Sequence, residues 1–479
     1  MAVRTDRLLL INAMIGSFLG GLSARIFLIS LPTVAAGLGT DIIGISWALI
    51  AYQLASISLS VVFGRLGDTY GRYRIYGLGF VVMTIFSFCC GIAENVSQLV
   101  VFRFFQGVGA AMNASAARVL AMDAMPEGSE GRANGYMTLS FHSGFLVGPP
   151  FGGLVIDYIS WRWTFFLLVP IGLAGILLTA MRFRASETAT ARRQHLSIDH
   201  LGAALLIALT IILVLLLDRR SAEWVGVGQK GTLALVFVVT LAGFLVHEAR
   251  VPNPVMNLSL FRIRMFTFTI LSLVIISVTY SLLSFLIPFY LQDVLHFSPS
   301  FMGVIYLLAP IFTVSLANLS GHLTDRVGPR LPASIGVGMV VLACGIGTIL
   351  RVDSQWVLPA AIMALLGLGS GFFNTPNQTA IIGSVPREHR GFATGMANTM
   401  FGLGHLVGVS LGGALLTVMF LYYSGIPGAT PTPENPLAFV SAMNATYLVC
   451  VGVSLIGLFS SLMRGGHKIG APREIPPGA

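Results

Sequence analysis

The sequence predicts an all-α polytopic membrane protein with fourteen transmembrane helices. Two features of its composition point there first: hydrophobic residues make up 55% of the 479 residues, and charged residues only 10%. An ordinary soluble domain carries about 25% charged residues, so this chain lacks the charges that a water-exposed surface of its size requires. The composition therefore excludes a water-soluble enzyme, a disordered chain and a disulfide-stapled secreted domain.

Long apolar runs recur along the whole chain, and a run of about 20 residues spans a bilayer as a helix. The runs lack the period-two alternation of membrane barrel strands, so we expect helices. The first run is too long for a signal peptide and has no small-residue cleavage site after it, so we expect it to remain as a helix. The predicted spans lie near 8–38, 43–63, 75–93, 99–123, 133–158, 163–182, 198–217, 231–249, 265–291, 300–320, 332–350, 356–384, 392–422 and 437–463.

The basic residues predict an orientation for these spans. Of the 28 Lys and Arg residues, twenty fall in the tails and loops on one side, five on the other side, and three inside spans. Positive charge concentrates in cytoplasmic loops, so we expect a multi-pass plasma-membrane protein with both termini in the cytoplasm. The net charge of +9 then faces anionic membrane lipids, and we expect no nucleic-acid partner.

Two sequence patterns occur twice. The loop motif at 64–72 recurs at 321–328, and the glycine stripe at 144–153 recurs at 404–413, with copies about 260 residues apart in both cases. Two unrelated patterns at one spacing indicate duplicated halves in the same orientation, which is a transporter architecture with substrate bound between the halves. We therefore predict two six-helix bundles in parallel repeat plus two inserted helices. The predicted parts are a first bundle at 1–190, an insert at 191–255, a second bundle at 256–463 and a cytoplasmic tail at 464–479.

Each pattern has a physical interpretation. Glycines four residues apart share one helix face and let a neighbouring backbone approach closely, and Pro149 can bend the fifth span. An aspartate in the loop motif can accept hydrogen bonds from a helix N-terminus, while an arginine pairs with an acid, which would latch one conformation. The predicted packing residues are Gly144, Gly148, Pro149, Gly152 and Gly153, and the predicted latch residues are Gly64, Asp68, Gly71, Arg72, Asp123 and Asp325.

In order and position, these motifs resemble those of the major facilitator superfamily, in particular its fourteen-helix drug:proton antiporter branch. Segment 64–72 is similar to the superfamily's loop signature, although Thr69 and Tyr73 replace the usual basic residues, and 144–153 is similar to the fifth-helix motif of exporters. The resemblance implies a rocker-switch secondary transporter that exports amphipathic or toxic compounds in exchange for protons. Further segments that resemble features of the superfamily or the branch lie at 103–111, 160–172, 254–262 and 373–377.

The first predicted span departs from that branch. Alignment on Leu31-Pro32 places Ser23 where the branch has an aspartate, and no carboxylate lies at mid-membrane in the predicted cavity helices. A buried carboxylate is the usual proton carrier, and histidine, which titrates near neutrality, is the natural substitute. The coupling candidates are therefore Arg103, Arg118, His142 and His405.

Polar and aromatic residues at mid-depth are candidates for the substrate cavity. Arg25 needs carbonyls, water, an acid or an anionic substrate as partner, because an unpaired arginine in hydrocarbon is costly. The predicted cavity residues are Arg25, Gln53, Asn113, Tyr280, Phe373, Asn374 and Asn377.

The sequence points away from chemistry of other kinds. All four cysteines fall inside apolar spans and are interpreted as core residues, and no His, Cys and carboxylate cluster has metal-ligand spacing. No nucleophile–base pair supports an enzyme, and we expect no cofactor and no metal. The expected partners of this protein, which we expect to be a monomer, are a small amphipathic or anionic substrate, protons and membrane lipids.

Three functions stay open on the sequence. The first is proton-driven export of amphipathic small molecules. The second is a carrier of anionic compounds or acidic lipids with non-carboxylate coupling. The basic residues inside the spans, which have no acids beside them at mid-membrane, favour this function and disfavour a cationic substrate. The third is a membrane sensor that has lost transport, which Thr69, Tyr73 and the serine at position 23 allow.

Overall fold

The structure is a computed structural model that describes residues 6–126, 130–185, 199–217, 229–251, 254, 258–385, 390–426, 430–432 and 434–464. Every element of regular structure within these ranges is helical, and no strand occurs among them. The prediction of an all-α protein is confirmed.

The α-helices are numbered here in chain order. A 3-10 turn (Leu258–Arg262) precedes α10, and a π-helical turn (Tyr290–Val294) follows it. The helices are α1 (Arg7–Gly37), α2 (Ile42–Tyr70), α3 (Arg72–Gly91), α4 (Val96–Asp123), α5 (Glu130–Tyr158), α6 (Trp163–Phe166), α7 (Leu168–Ala185), α8 (His200–Leu217), α9 (Gln229–Glu248), α10 (Arg264–Phe289), α11 (Pro299–Val327), α12 (Arg330–Gly347), α13 (Val357–Gly383), α14 (Arg390–Ser424) and α15 (Pro436–Leu462).

Short polar side chains set the start of several helices. Asp6, Asp41, Asn95 and Asn435 cap α1, α2, α4 and α15, and each side chain accepts a hydrogen bond from a backbone N–H three residues further on. The first N–H groups of a helix have no partner within the helix, so such a cap satisfies one of them. Helix boundaries therefore follow local sequence at these four positions.

Twelve candidate membrane spans, long and apolar enough to cross a bilayer, occur in the described part of the chain. Two of the predicted spans are absent from this set. The predicted span at 99–123 forms α4, which is 28 residues long but carries polar groups such as Arg103, Gln106 and Arg118. The predicted span at 198–217 forms α8, in which only Ala204–Leu213 stands out as a short apolar stretch. The chain is thus a multi-pass helical membrane protein, and the count of fourteen spans stays a prediction.

The chain divides into two compact units, residues 1–210 with 297–304 (the first unit) and residues 211–296 with 305–479 (the second unit). In the first unit α1 packs against α5, α4 and α7, while α4 packs against α2 and α3. In the second unit α10 packs against α14 and α15, while α12 packs against α13 and α15. The predicted boundaries near 190, 255 and 463 remain predictions.

The glycine stripe of α5 lies against α1. A Cβ atom at Gly148 would lie 3.3 Å from the backbone nitrogen of Ile26, and a Cβ atom at Gly144 would collide with backbone atoms of Phe18 and Leu22. Gly152 faces the Ile26 side chain one turn further on. Only glycine allows two helix backbones to approach this closely.

The second glycine stripe makes the matching contact in the second unit, between α14 and α10. A Cβ atom at Gly404 would lie 2.9 Å from the backbone oxygen of Val274. A Cβ atom at Gly408 would collide with the backbone oxygen of Val278. Gly413 is different, because nothing lies within 4 Å of an added Cβ atom. The duplicated pattern therefore has the same packing role in both units, except at its last position.

The last glycine of each loop motif has a positive φ angle: +101° at Gly71 and +81° at Gly328. An L-residue with a side chain rarely adopts this backbone conformation, so glycine is required where α2 turns into α3 and α11 into α12. The two copies of the loop motif thus share a backbone conformation as well as a sequence pattern.

Gly408→Ala should lower the free energy of unfolding by about 1–3 kcal/mol, since the new methyl group overpacks the α10–α14 contact. Gly413→Ala is the matched control in the same helix. It should be neutral or stabilise by up to about 1 kcal/mol, because alanine favours the helix and meets open space. The midpoint of thermal unfolding of the purified variants measures both effects. Equal midpoints for the two variants would contradict the packing role.

Candidate functional site

The first unit buries a positive charge in the contact between α4, α2 and α3. Arg103 is only 1% exposed. Its Nε donates a hydrogen bond to the Ala48 carbonyl oxygen at 3.3 Å, and its Nη1 donates to Gln106 Oε1 at 2.6 Å. Gln106 Nε2 in turn donates to Ser87 Oγ at 2.7 Å. One guanidinium therefore ties three helices together.

Aromatic faces complete the surroundings of Arg103. Its Cζ atom lies 4.2 Å from the Tyr52 ring centroid, 4.6 Å from that of Phe27 and 6.0 Å from that of Phe165. Ring faces carry partial negative charge and attract a cation most strongly where water is excluded. The partners of this arginine in the described part of the first unit are thus neutral. Ser23, at the position of the missing aspartate, lies one α1 turn before Phe27.

Arg25 and His142, two of the predicted residues, meet at a single aromatic ring. The Cζ atom of Arg25 lies 4.7 Å from the Phe145 ring centroid, and the His142 ring centroid lies 6.1 Å from it. Both polar residues are half-buried. The close packing of α5 on α1 brings them together, since Arg25 lies on α1 and the other two on α5.

The second unit brings Tyr280 and His405 together in a similar way. The His405 ring centroid lies 5.9 Å from that of Tyr280 and 4.6 Å from that of Phe401. Ser281 Oγ donates a hydrogen bond to the His405 carbonyl oxygen at 2.8 Å. In each unit, a histidine on the glycine-stripe helix is therefore flanked by aromatic rings.

The other predicted cavity residues do not share one environment. Asn113 is buried in the first unit, where its Nδ2 lies 3.9 Å from Met83 Sδ, and Gln53 is half-buried. On α13, Phe373 and Asn377 are each 1% exposed, whereas Asn374 is exposed. Phe373 and Asn374 therefore lie on different faces of α13.

The remaining coupling and latch residues lie at the helix ends. Arg118, Asp123 and Arg72 are exposed. The side chains of Asp68 and Asp325 lie outside the described part of the structure. The latch role of these residues and the pairing of Arg72 with Asp123 stay predictions.

Arg464 occupies a place that the sequence does not indicate. Sequence analysis assigns it to the cytoplasmic tail, yet it is only 2% exposed and lies inside the second unit. Its Nη2 donates a hydrogen bond to Ser272 Oγ on α10, and its Cζ lies 5.3 Å from the Phe373 ring centroid on α13. Burial lowers the pKa of Arg464 to about 9, so the guanidinium stays charged at neutral pH.

The residues of these sites that the sequence did not single out include Tyr52, Ser87, Gln106 and Ser272. One signal was available, because Gln106 follows Arg103 by three residues and so lies on the same helix face. The other three meet their partners across helix contacts, which no spacing along the chain reveals.

No group of three or more His, Cys, Asp or Glu side chains that could hold a metal occurs among the described residues. The four cysteines, Cys89, Cys90, Cys344 and Cys450, are free.

Comparison with known proteins decides the family. The sequence profile described as Major Facilitator Superfamily matches residues 13–409. The chain belongs to this superfamily. It is a transporter rather than an enzyme, and its relatives in the multidrug antiporter branch agree with the resemblance read from its motifs.

Three relatives match most of the chain. The riboflavin transporter RibZ of Clostridioides difficile is 28% identical over 451 residues, which is 94% of this chain and 96% of that protein. The uncharacterized transporter YebQ of Escherichia coli is 30% identical over 94% of both chains. The multidrug resistance protein Stp of Mycobacterium tuberculosis is 30% identical over 86% of this chain and 76% of its own length.

Solved structures agree on the fold. A bacterial homolog of the human lysosomal transporter Spinster, in an inward-facing and unoccupied conformation, matches with a TM-score of 0.68. It is 14% identical and covers 97% of this chain and 98% of its own. A peptide transporter POT in complex with sulfate matches with a TM-score of 0.65 at 15% identity, over 94% of both chains. At such low identity the likeness concerns the fold alone.

Gln106→Leu should lower the free energy of unfolding by about 1.5–3 kcal/mol, because a buried cation loses a charge-assisted hydrogen bond. Gln355→Leu is the control, since Gln355 is exposed and its replacement should change stability by about 0.5 kcal/mol or less. Thermal unfolding of the two purified variants compares them. A Gln106→Leu variant as stable as the control would show that Arg103 does not depend on this network.

Proposed function

We propose that this protein is a secondary active transporter that works by alternating access and exports amphipathic small molecules in exchange for protons. The observation that carries the proposal is the glycine stripe of α5 packed on α1, together with matches to a riboflavin transporter over 94% of the chain and to a multidrug resistance protein over 86% of it. The resemblance associates that stripe with exporters. Both termini face the cytoplasm, fourteen helices span the plasma membrane, and the protein acts as a monomer that contacts membrane lipids.

The paired histidines support proton coupling without an aspartate on α1. Each lies half-buried beside aromatic rings on the helix that carries the glycine stripe, His142 on α5 and His405 on α14. Arg103 supports a different role, because its neutral partners hold its charge in place between three helices. We propose that the histidines carry the exchanged protons and that Arg103 keeps α2, α3 and α4 in register.

The second candidate, a carrier of anionic compounds, is favoured by Arg25. Its guanidinium stacks on Phe145 in a half-buried position next to His142. A cation and aromatic rings at one place suit an amphipathic molecule with a planar ring and a carboxylate or phosphate group. Anionic amphipathic compounds are thus the substrates that the side chains favour, and acidic lipids are one such class.

A proton gradient should drive substrate into everted membrane vesicles that contain the protein, and nigericin, which collapses that gradient, should abolish the accumulation. The double variant His142→Gln/His405→Gln should still bind the substrate but should lose gradient-driven accumulation, because glutamine carries no proton. His322→Gln, an exposed position, is the control. Accumulation of substrate in the presence of nigericin would contradict proton coupling. Gradient-driven accumulation by the double variant would show that the two histidines do not carry the exchanged protons.

Arg25→Gln should raise the KM for fluorescein, an anionic aromatic dye, by about tenfold or more, since one charge-assisted contact is worth about 1.5–3 kcal/mol. The KM for riboflavin, a neutral aromatic compound, should change by less than about twofold. Arg25→Lys keeps the charge and should retain part of the fluorescein affinity. An equal effect on both dyes would mean that Arg25 shapes the cavity without selecting anions.

A further inference from the structure

The cytoplasmic end of α15 places a buried charge inside the second unit. The helix ends at Leu462, and two residues later Arg464 turns inward between α10 and α13. Ser272 accepts the Nη2 hydrogen bond, and the Phe373 ring lies 5.3 Å from the guanidinium carbon. A residue expected in the tail is thus part of the interior.

The hydrogen-bond donors of Arg464 are only partly used. Its Nε and Nη1 atoms are buried and have no hydrogen-bond partner among the described residues. The side chain of Asn377 is also buried, and both its Nδ2 and its Oδ1 have no partner there. Asn377 follows Phe373 by four residues, so it lies one turn along the same buried face of α13. Two buried and incompletely bonded polar side chains are thus associated with one face of α13: Arg464 lies over the Phe373 ring, and Asn377 follows one turn further along.

Arg103 has more hydrogen-bond and aromatic partners than Arg464 and serves as the comparison. Both arginines are almost completely buried, at 1% for Arg103 and 2% for Arg464. Arg103 has two hydrogen-bond acceptors and three aromatic rings around it and one nitrogen without a partner. Arg464 has one acceptor, one ring and two nitrogens without a partner. The neutral surroundings that stabilise the first charge are largely absent around the second.

A buried charge in that state requires a counter-charge. Removing an ion from water is strongly unfavourable unless an opposite charge or several hydrogen bonds compensate for it. No carboxylate in the described part of the chain forms an ion pair with Arg464. The unsatisfied donors of Arg464 and Asn377 are guanidinium N–H and amide N–H groups, which together suit an anion.

We propose that the second unit holds a small anion of about the size of chloride, bound by Nε and Nη1 of Arg464 and by Nδ2 of Asn377. The slight exposure of both side chains favours a single small ion over a large organic anion. The bound ion neutralises Arg464 and fastens the end of α15 to α10 and α13. The proposal concerns the stability of the second unit rather than transport, so it does not rest on the proposed function.

An anionic lipid headgroup offers the same negative charge from a second source. The cytoplasmic leaflet is rich in anionic lipid, and the predicted orientation puts the end of α15 on that side. A headgroup carries bulky chains that the enclosed position of Arg464 disfavours. The experiment therefore supplies the two sources separately.

The test is the apparent unfolding midpoint of the purified full-length protein in detergent, in sodium chloride and in sodium gluconate at equal ionic strength. Chloride should raise the midpoint by about 2–4 °C, because a ligand that binds only the folded state stabilises it. Arg464→Gln and Asn377→Leu should each lose this difference. Arg330→Gln, which removes an exposed charge from the same side of the protein, should keep it.

The outcomes separate cleanly. An equal midpoint in both salts for the unmodified protein, or a chloride effect that persists in Arg464→Gln, would overturn the proposal. Should Arg464→Gln fail to fold, Asn377→Leu and Arg464→Lys test the same donors. Arg464→Lys should weaken the chloride effect, because lysine lacks the planar guanidinium group with its fixed N–H donors. A rise with phosphatidylglycerol in gluconate, with none from chloride, would overturn the soluble anion in favour of a headgroup.

Discussion

Close approach of helix backbones is the constraint on which the rest of this structure depends. Lipid tails are as apolar as leucine side chains, so helices in a membrane associate mainly through van der Waals contact and hydrogen bonds. The glycine stripes of α5 and α14 provide that contact with α1 and α10. By fixing these two helix pairs, the stripes also determine which aromatic and polar side chains meet beside them.

The treatment of positive charge follows from the same apolar surroundings. Arg103 is stabilised by carbonyl, amide and ring partners within its own unit, whereas Arg464 has few such partners and two unsatisfied nitrogens. Arg25 is half-buried over a ring. These three environments suit three different roles: holding helices in register, retaining a small ion and selecting a substrate.

Membership of the superfamily fixes the architecture but not the cargo. The relatives include proteins named for riboflavin and for multidrug resistance, at similar levels of identity. Sequences that share a fold can thus differ in what they carry, because the substrate contacts a few side chains while the fold depends on all of them. We therefore propose the substrate class from the chemistry around Arg25, His142, Tyr280 and His405 rather than from the fold.

The sequence by itself determined the all-helical membrane class, the repeated motifs and the family, since hydropathy and glycine spacing are local properties of the chain. It also singled out Arg25, His142 and His405, because a charged or titratable residue is conspicuous in an apolar run. Only the tertiary structure placed Tyr52 and Ser87 around the Arg103 network, and only it brought Arg464 from the expected tail to Ser272 and Phe373. Those contacts join residues far apart in sequence, and they exist because helices pack, which no pattern along one helix can specify.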